Sequence, residues 1–178
     1  MKHTSKTHFA GLAAATWAVA GFLFFMLYAI KKLALISMAA LGQPFSLLQW
    51  FVLFLNLAFM GYSEGYKGFH LAFSPRFAAR ARHLATSRPG LVKLSLAPLF
   101  CMSFFGAPRR RVIATWLLAL MIVCFILVFH YIPQPWRGIL DAGVVFGLSW
   151  GLLSTLYFLY RTFSKLDNNI DPELSGTR

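Results

Sequence analysis

Acidic side chains are nearly missing from this chain. Glu64, Asp141, Asp167, Asp171 and Glu173 are its five carboxylates, against 17 lysines and arginines, and three of the five fall within the last dozen residues. General acid–base chemistry, which draws mostly on carboxylates and histidines, therefore has little to work with. Cysteine is scarce too. Cys101 and Cys124 stand alone in apolar stretches without C-x-x-C spacing, which excludes a disulfide framework and a thiolate metal centre and leaves two packed thiols. Charge of either sign makes up only 12% of the 178 residues, where soluble domains carry about a quarter.

What fills the chain instead is apolar. Hydrophobic residues account for 58% of it, and the mean hydropathy is +0.65. Such a chain cannot cover its surface with polar groups, so lipid must solvate much of it. The net charge of +12 is of the kind that nucleic-acid binding produces. Here, however, the basic residues flank apolar runs, as the positive-inside rule requires, so nucleic acid is not expected as a partner and anionic lipid headgroups are.

Four runs approach the roughly 20 residues that cross about 30 Å of hydrocarbon. They cover residues 9–30, 44–62, 112–132 and 139–160. The first exceeds a signal-peptide core and is expected to stay as a span. Pro44 suits a first helical turn in the second. A shorter stretch, 94–107, is interrupted by Ser95, Pro98 and Ser103. Charge counting settles its expected place. If it does not cross, fourteen of the 17 lysines and arginines lie on the cytoplasmic side, all but Lys31, Lys32 and Arg137. If it crosses, the N-terminal half inverts and the bias disappears.

The expected fold is therefore an all-α integral membrane protein, a small bundle of about four transmembrane helices with a cytoplasmic amphipathic or re-entrant segment. Residues 1–165 form the bundle, 63–111 the cytoplasmic segment, and 166–178 a polar flexible tail. Both termini are expected in the cytoplasm, and a bacterial inner (cytoplasmic) membrane is the expected location.

Several constellations stand out. Gly143, Gly147, Gly151 and Thr155 recur at every fourth position of the fourth span, giving a small-residue face for close helix approach, within the chain or against a partner or second copy. Ala14, Ala18 and Gly21 make a weaker face on the first span, a natural counterpart. Gly147-Leu148-Ser149-Trp150-Gly151 spells G-x-S-x-G, but inside an apolar helix rather than at a strand–turn–helix elbow, and His130 lies at a different depth. The histidines show no haem or metal spacing, so no catalytic, cofactor or metal site is expected.

Glu64 follows the second run within Gly61-Tyr62-Ser63-Glu64-Gly65-Tyr66-Lys67. A carboxylate at membrane depth is costly and usually paired, and Lys67 at i+3 is the expected partner, forming an ion pair or a ligand site. Asp141 pairs with Arg137 one turn back. Ser74-Pro75 suits a helix start, and the helix it opens places Arg76 and Arg80, with Arg82 nearby, along the cytoplasmic surface for anionic lipid or a partner. These features fit a non-enzymatic accessory, assembly or scaffold subunit. The alternatives are a small oligomeric transporter or channel, or a membrane-embedded lipid-modifying enzyme.

Overall fold

A computed structural model describes residues 9–164 and 172–174, and among them the chain is all helical, without a strand. The elements are α1 (Phe9–Leu41), α2 (Leu47–Met60), a π-helical segment (Gly61–Phe73), α3 (Ser74–Thr86), two short helices α4 (Leu91–Ser95) and α5 (Ala97–Cys101), α6 (Arg109–His130) and α7 (Trp136–Phe163). Three of these, α1, α6 and α7, are long and apolar enough to cross a membrane. The protein is accordingly an integral membrane protein.

Helix boundaries depart from the apolar runs in instructive ways. α1 does not stop at Lys31 and Lys32. Nothing between Ile30 and Leu41 breaks a helix, and its 33 residues extend about 50 Å at 1.5 Å each. α2 opens on Ser46 rather than at Pro44. Ser46 accepts a hydrogen bond from the Gln49 amide while the Gln49 side chain accepts one from the Ser46 amide, a complete capping box. At its far end no break occurs at Ser63. Gly61 keeps helical angles, and helix continues through the π segment into α3. Ser74 is therefore no N-cap, although Pro75 still sits in the first turn of α3.

The stretch 94–107 holds only α5, the end of α4 and an irregular loop, and neither five-residue helix has the length to cross. Ser95 ends α4, Pro98 stands in the first turn of α5, and the left-handed Ser103 lies in the loop that follows.

By packing, the chain divides into two units. One comprises Phe25–Ala72 and Leu118–Ser154, the other Met1–Phe24, Phe73–Leu117 and Thr155–Arg178. In the second unit the apolar centre is aromatic. Phe22 lies 4.6 Å from Phe77 and 5.3 Å from Phe73, ring centre to ring centre, beside buried Ala78, Ala81 and Leu84. The small-residue face of α1 belongs to this centre. A side chain at Gly11 would strike the Leu84 and Ser87 carbonyls, and one at Gly21 the Pro98 ring. At both glycines the neighbour is the 84–98 region. α6 is different. None of its residues is buried, Cys124 included, so that thiol is exposed rather than packed.

The expected polar tail, 166–178, lies mostly outside the described residues. Within 172–174, Glu173 takes two hydrogen bonds from Arg111, at 2.8 and 3.4 Å.

Candidate functional site

Within the unit formed by 25–72 and 118–154, the π segment lies along α7 in a seam of glycines and large side chains that alternate between the two helices. Gly143 receives the Asn56 carboxamide, Gly147 the Glu64 carboxyl and Gly151 the Phe69 ring. In return Phe146 of α7 covers Gly61, and Trp150 covers Gly65. Each glycine leaves the space that the opposite side chain occupies. The glycine face of α7 is thus buried and filled by the chain's own residues.

The winding explains the pairing. Seam residues on α7 recur every four positions, whereas Glu64 and Phe69 are five apart. In a regular α-helix two residues five apart diverge by about 140°. In a π-helix, with i→i+5 hydrogen bonds, they fall on one face. Gly61, Gly65 and Gly68 lower the cost of crowding in this segment, since none brings a side chain to the wider turn.

Polar groups line the seam. Asn56 Nδ2 donates to the Ile139 carbonyl at 2.8 Å and lies 3.3 Å from that of Leu140. His70 Nδ1 and Ser154 Oγ lie 2.6 Å apart. Glu64 is the exception. Its Oε2 is sealed from solvent and has no hydrogen-bond partner. The expected Glu64–Lys67 ion pair is not formed, because the wide turn carries Lys67 outward. Lys67 is exposed, its Nζ 5.2 Å from the centre of the Tyr62 ring. Arg137 and Asp141 do meet, at 3.8 Å, one turn apart on α7.

In the other unit the basic face of α3 is not a surface stripe. Arg80 is 1% exposed. Its guanidinium donates to Ser103 Oγ at 3.2 Å and to the Phe105 and Gly106 carbonyls at 3.1 and 2.9 Å, and it lies 4.4 Å from the centre of the Phe100 ring. Ser103 and Gly106 both have positive φ, at 69° and 68°, so Arg80 holds a loop that a non-glycine residue adopts only under constraint. The lipid contact expected of Arg80 is therefore corrected to an internal clamp. Arg76 faces Glu173 at 3.9 Å, and Arg82 is half-buried. Thr155 of α7 is also internal, its hydroxyl 2.9 Å from that of Ser74. These partners come from residues far along the chain, which local spacing does not reveal.

Among the described residues no three His, Cys, Asp or Glu side chains cluster as metal ligands would. Comparison with family models, with curated proteins and with solved structures finds no match.

Proposed function

We propose that this chain is a four-span protein of a bacterial cytoplasmic membrane, with both termini inside, and that its working part is the seam at Glu64, which takes up and releases a proton in a small proton-coupled transporter. The second crossing is the helix through α2 and the π segment. One observation carries the reading. Glu64 Oε2 is closed off without a hydrogen bond beside Gly147, in the part of α7 between Asp141 and Arg161 that carries no charge. An ionisable group at such depth costs several kcal/mol unless it is paired, and such groups mark ion and proton pathways. Each unsatisfied buried polar atom calls for an explanation of this sort. The π-helical winding supports it further, since such turns recur at functional sites. His70 and Ser154 supply a polar pair on the same seam.

The test is purified protein in liposomes loaded with a pH-sensitive dye. An acid pulse outside should acidify the lumen faster than in empty vesicles, and Glu64→Gln should abolish the difference while accumulating normally. Equal flux in Glu64→Gln would overturn the reading. Reporter fusions after Gly42, Arg88, Gln134 and Arg178 test the topology. Cytoplasmic signal is expected after Arg88 and Arg178, and external signal at Arg88 excludes four spans.

An accessory or assembly subunit is the second reading, favoured by α6. It is the most apolar of the three long helices and has no buried residue, so a partner helix has room along its whole length. Cross-linking through Cys124 in native membranes should then capture a stoichiometric partner.

A further inference from the structure

Arg76, Arg111 and Arg137 have carboxylate partners, but the cations at the turn after α3 do not. His83, Arg88 and Lys93 surround a cavity of about 470 Å³ whose wall is closed by the Phe100 ring. Lys93 Nζ lies 5.9 Å from the centre of that ring, which the Arg80 guanidinium also contacts. Arg88 and Lys93 thus line one cavity with His83, Lys93 and Arg80 share its Phe100 ring, and among the described residues no carboxylate pairs with His83, Arg88 or Lys93. Burial, then Lys93 and Arg80, push the His83 pKa below its ordinary value. Leu91 and Val92 stand exposed on the rim.

The position within this unit fits a membrane interface. Ser74 pairs with Thr155, and α3 and α7 each continue from that pair toward His83 and Phe163 respectively, past Arg161 on α7. The cavity therefore belongs with the polar end of the helices.

We propose that this cavity binds the headgroup of an anionic phospholipid, with the phosphate held by Arg88, Lys93 and a protonated His83 and the acyl chains against Leu91 and Val92. Charge-assisted hydrogen bonds from Arg and Lys are the usual recognition of phosphate. A free phosphate uses the same cations but has no use for the apolar rim, and the rim is what selects a lipid. The volume lies in the range of small-molecule sites, about 300–1,000 Å³.

The full chain, purified in detergent, is titrated with phosphatidylglycerol, phosphatidylcholine or inorganic phosphate and read by native mass spectrometry and thermal melting. One phosphatidylglycerol should be retained, at least about tenfold more tightly than phosphatidylcholine. Arg88→Gln with Lys93→Gln should weaken it about thirtyfold, from the loss of two charges near the surface. Gly90→Phe tests space rather than charge. Gly90 lines the cavity, a side chain built there meets nothing within 4 Å, and the residue has φ −67°, so a bulky residue is admitted at the cavity wall without a clash at its root. It should displace the lipid while every cation remains. Arg109→Gln with Arg110→Gln, exposed cations away from the cavity, should change affinity less than about threefold. Unchanged binding in either cavity variant overturns the proposal. An equal loss in the Arg109/Arg110 variant, or inorganic phosphate matching the lipid, overturns it as well.

Discussion

Glu64 Oε2 lies 2.7 Å from the point at which a side chain at position 147 would begin. The carboxyl of one helix thus occupies the place that glycine leaves vacant on the other. Two features that read separately in the sequence, an isolated acid and a glycine repeat, are one structure.

That relationship ranks the glycines. Gly151→Ala places a methyl against three carbons of the rigid Phe69 ring, so the whole ring must move to admit it. Gly147→Ala meets the Glu64 carboxyl oxygen at 2.7 Å, the end of a flexible side chain that can shift, and the Glu64 Cβ only at 3.2 Å. Gly151→Ala should therefore cost about 1–3 kcal/mol as overpacking does, and Gly147→Ala less. Thermal unfolding in detergent checks the order. Leu148→Ile, off the seam, should be milder than either.

Arg80 should behave as a structural residue. Arg80→Met removes three donors from a buried site and leaves the Phe105 and Gly106 carbonyls without them, a loss of about 3 kcal/mol. Arg80→Lys keeps the charge but not the planar fork, so it should recover only part of the loss. Proteolysis at the 102–108 loop, compared between the two variants, measures this. Equal protection in Arg80→Met and the parent would mean that the loop holds itself.

His83 supplies a pH dependence. Its folded-state pKa is lowered by burial, then by Lys93 and Arg80. The unfolded chain therefore binds a proton that the folded chain resists, and folding stability falls as pH drops below about 6.5. The melting temperature should decline from neutral toward acid pH, and the decline should be shallower in His83→Gln. Phosphatidylglycerol should flatten it too, since a phosphate in the cavity stabilises the imidazolium. A profile identical in His83→Gln assigns the titration to other groups.

The sequence disclosed what depends on local composition. Long charge-free runs marked α1, α6 and α7, and Ser95, Pro98 and Ser103 marked a stretch that holds only short helical pieces. The four-residue spacing of Gly143, Gly147 and Gly151 marked a packing face, but not its occupant. Partners that depend on a changed winding stayed hidden. Glu64 and Phe69 share a face only in the π segment, and no three-or-four-residue pattern announces that. The pairing of Glu64 with Lys67 failed for the same reason. Arg80 looked like part of a surface stripe because its acceptors, from Ser103 to Gly106, are more than twenty positions away. The capping box of Ser46 and Gln49 was legible in principle, since Ser followed three residues later by Gln before an apolar run is its signature.

We propose above that the Glu64 carboxyl exchanges a proton within an apolar seam. Dicyclohexylcarbodiimide, an apolar reagent that adds to protonated carboxyls, tests it most directly when labelling is mapped by peptide mass spectrometry at a series of pH values. The account predicts a labelled Glu64, faster reaction as pH falls, and no label at this position in Glu64→Gln. A Glu64 that stays unlabelled at every pH, or is labelled at a rate independent of pH, would contradict it.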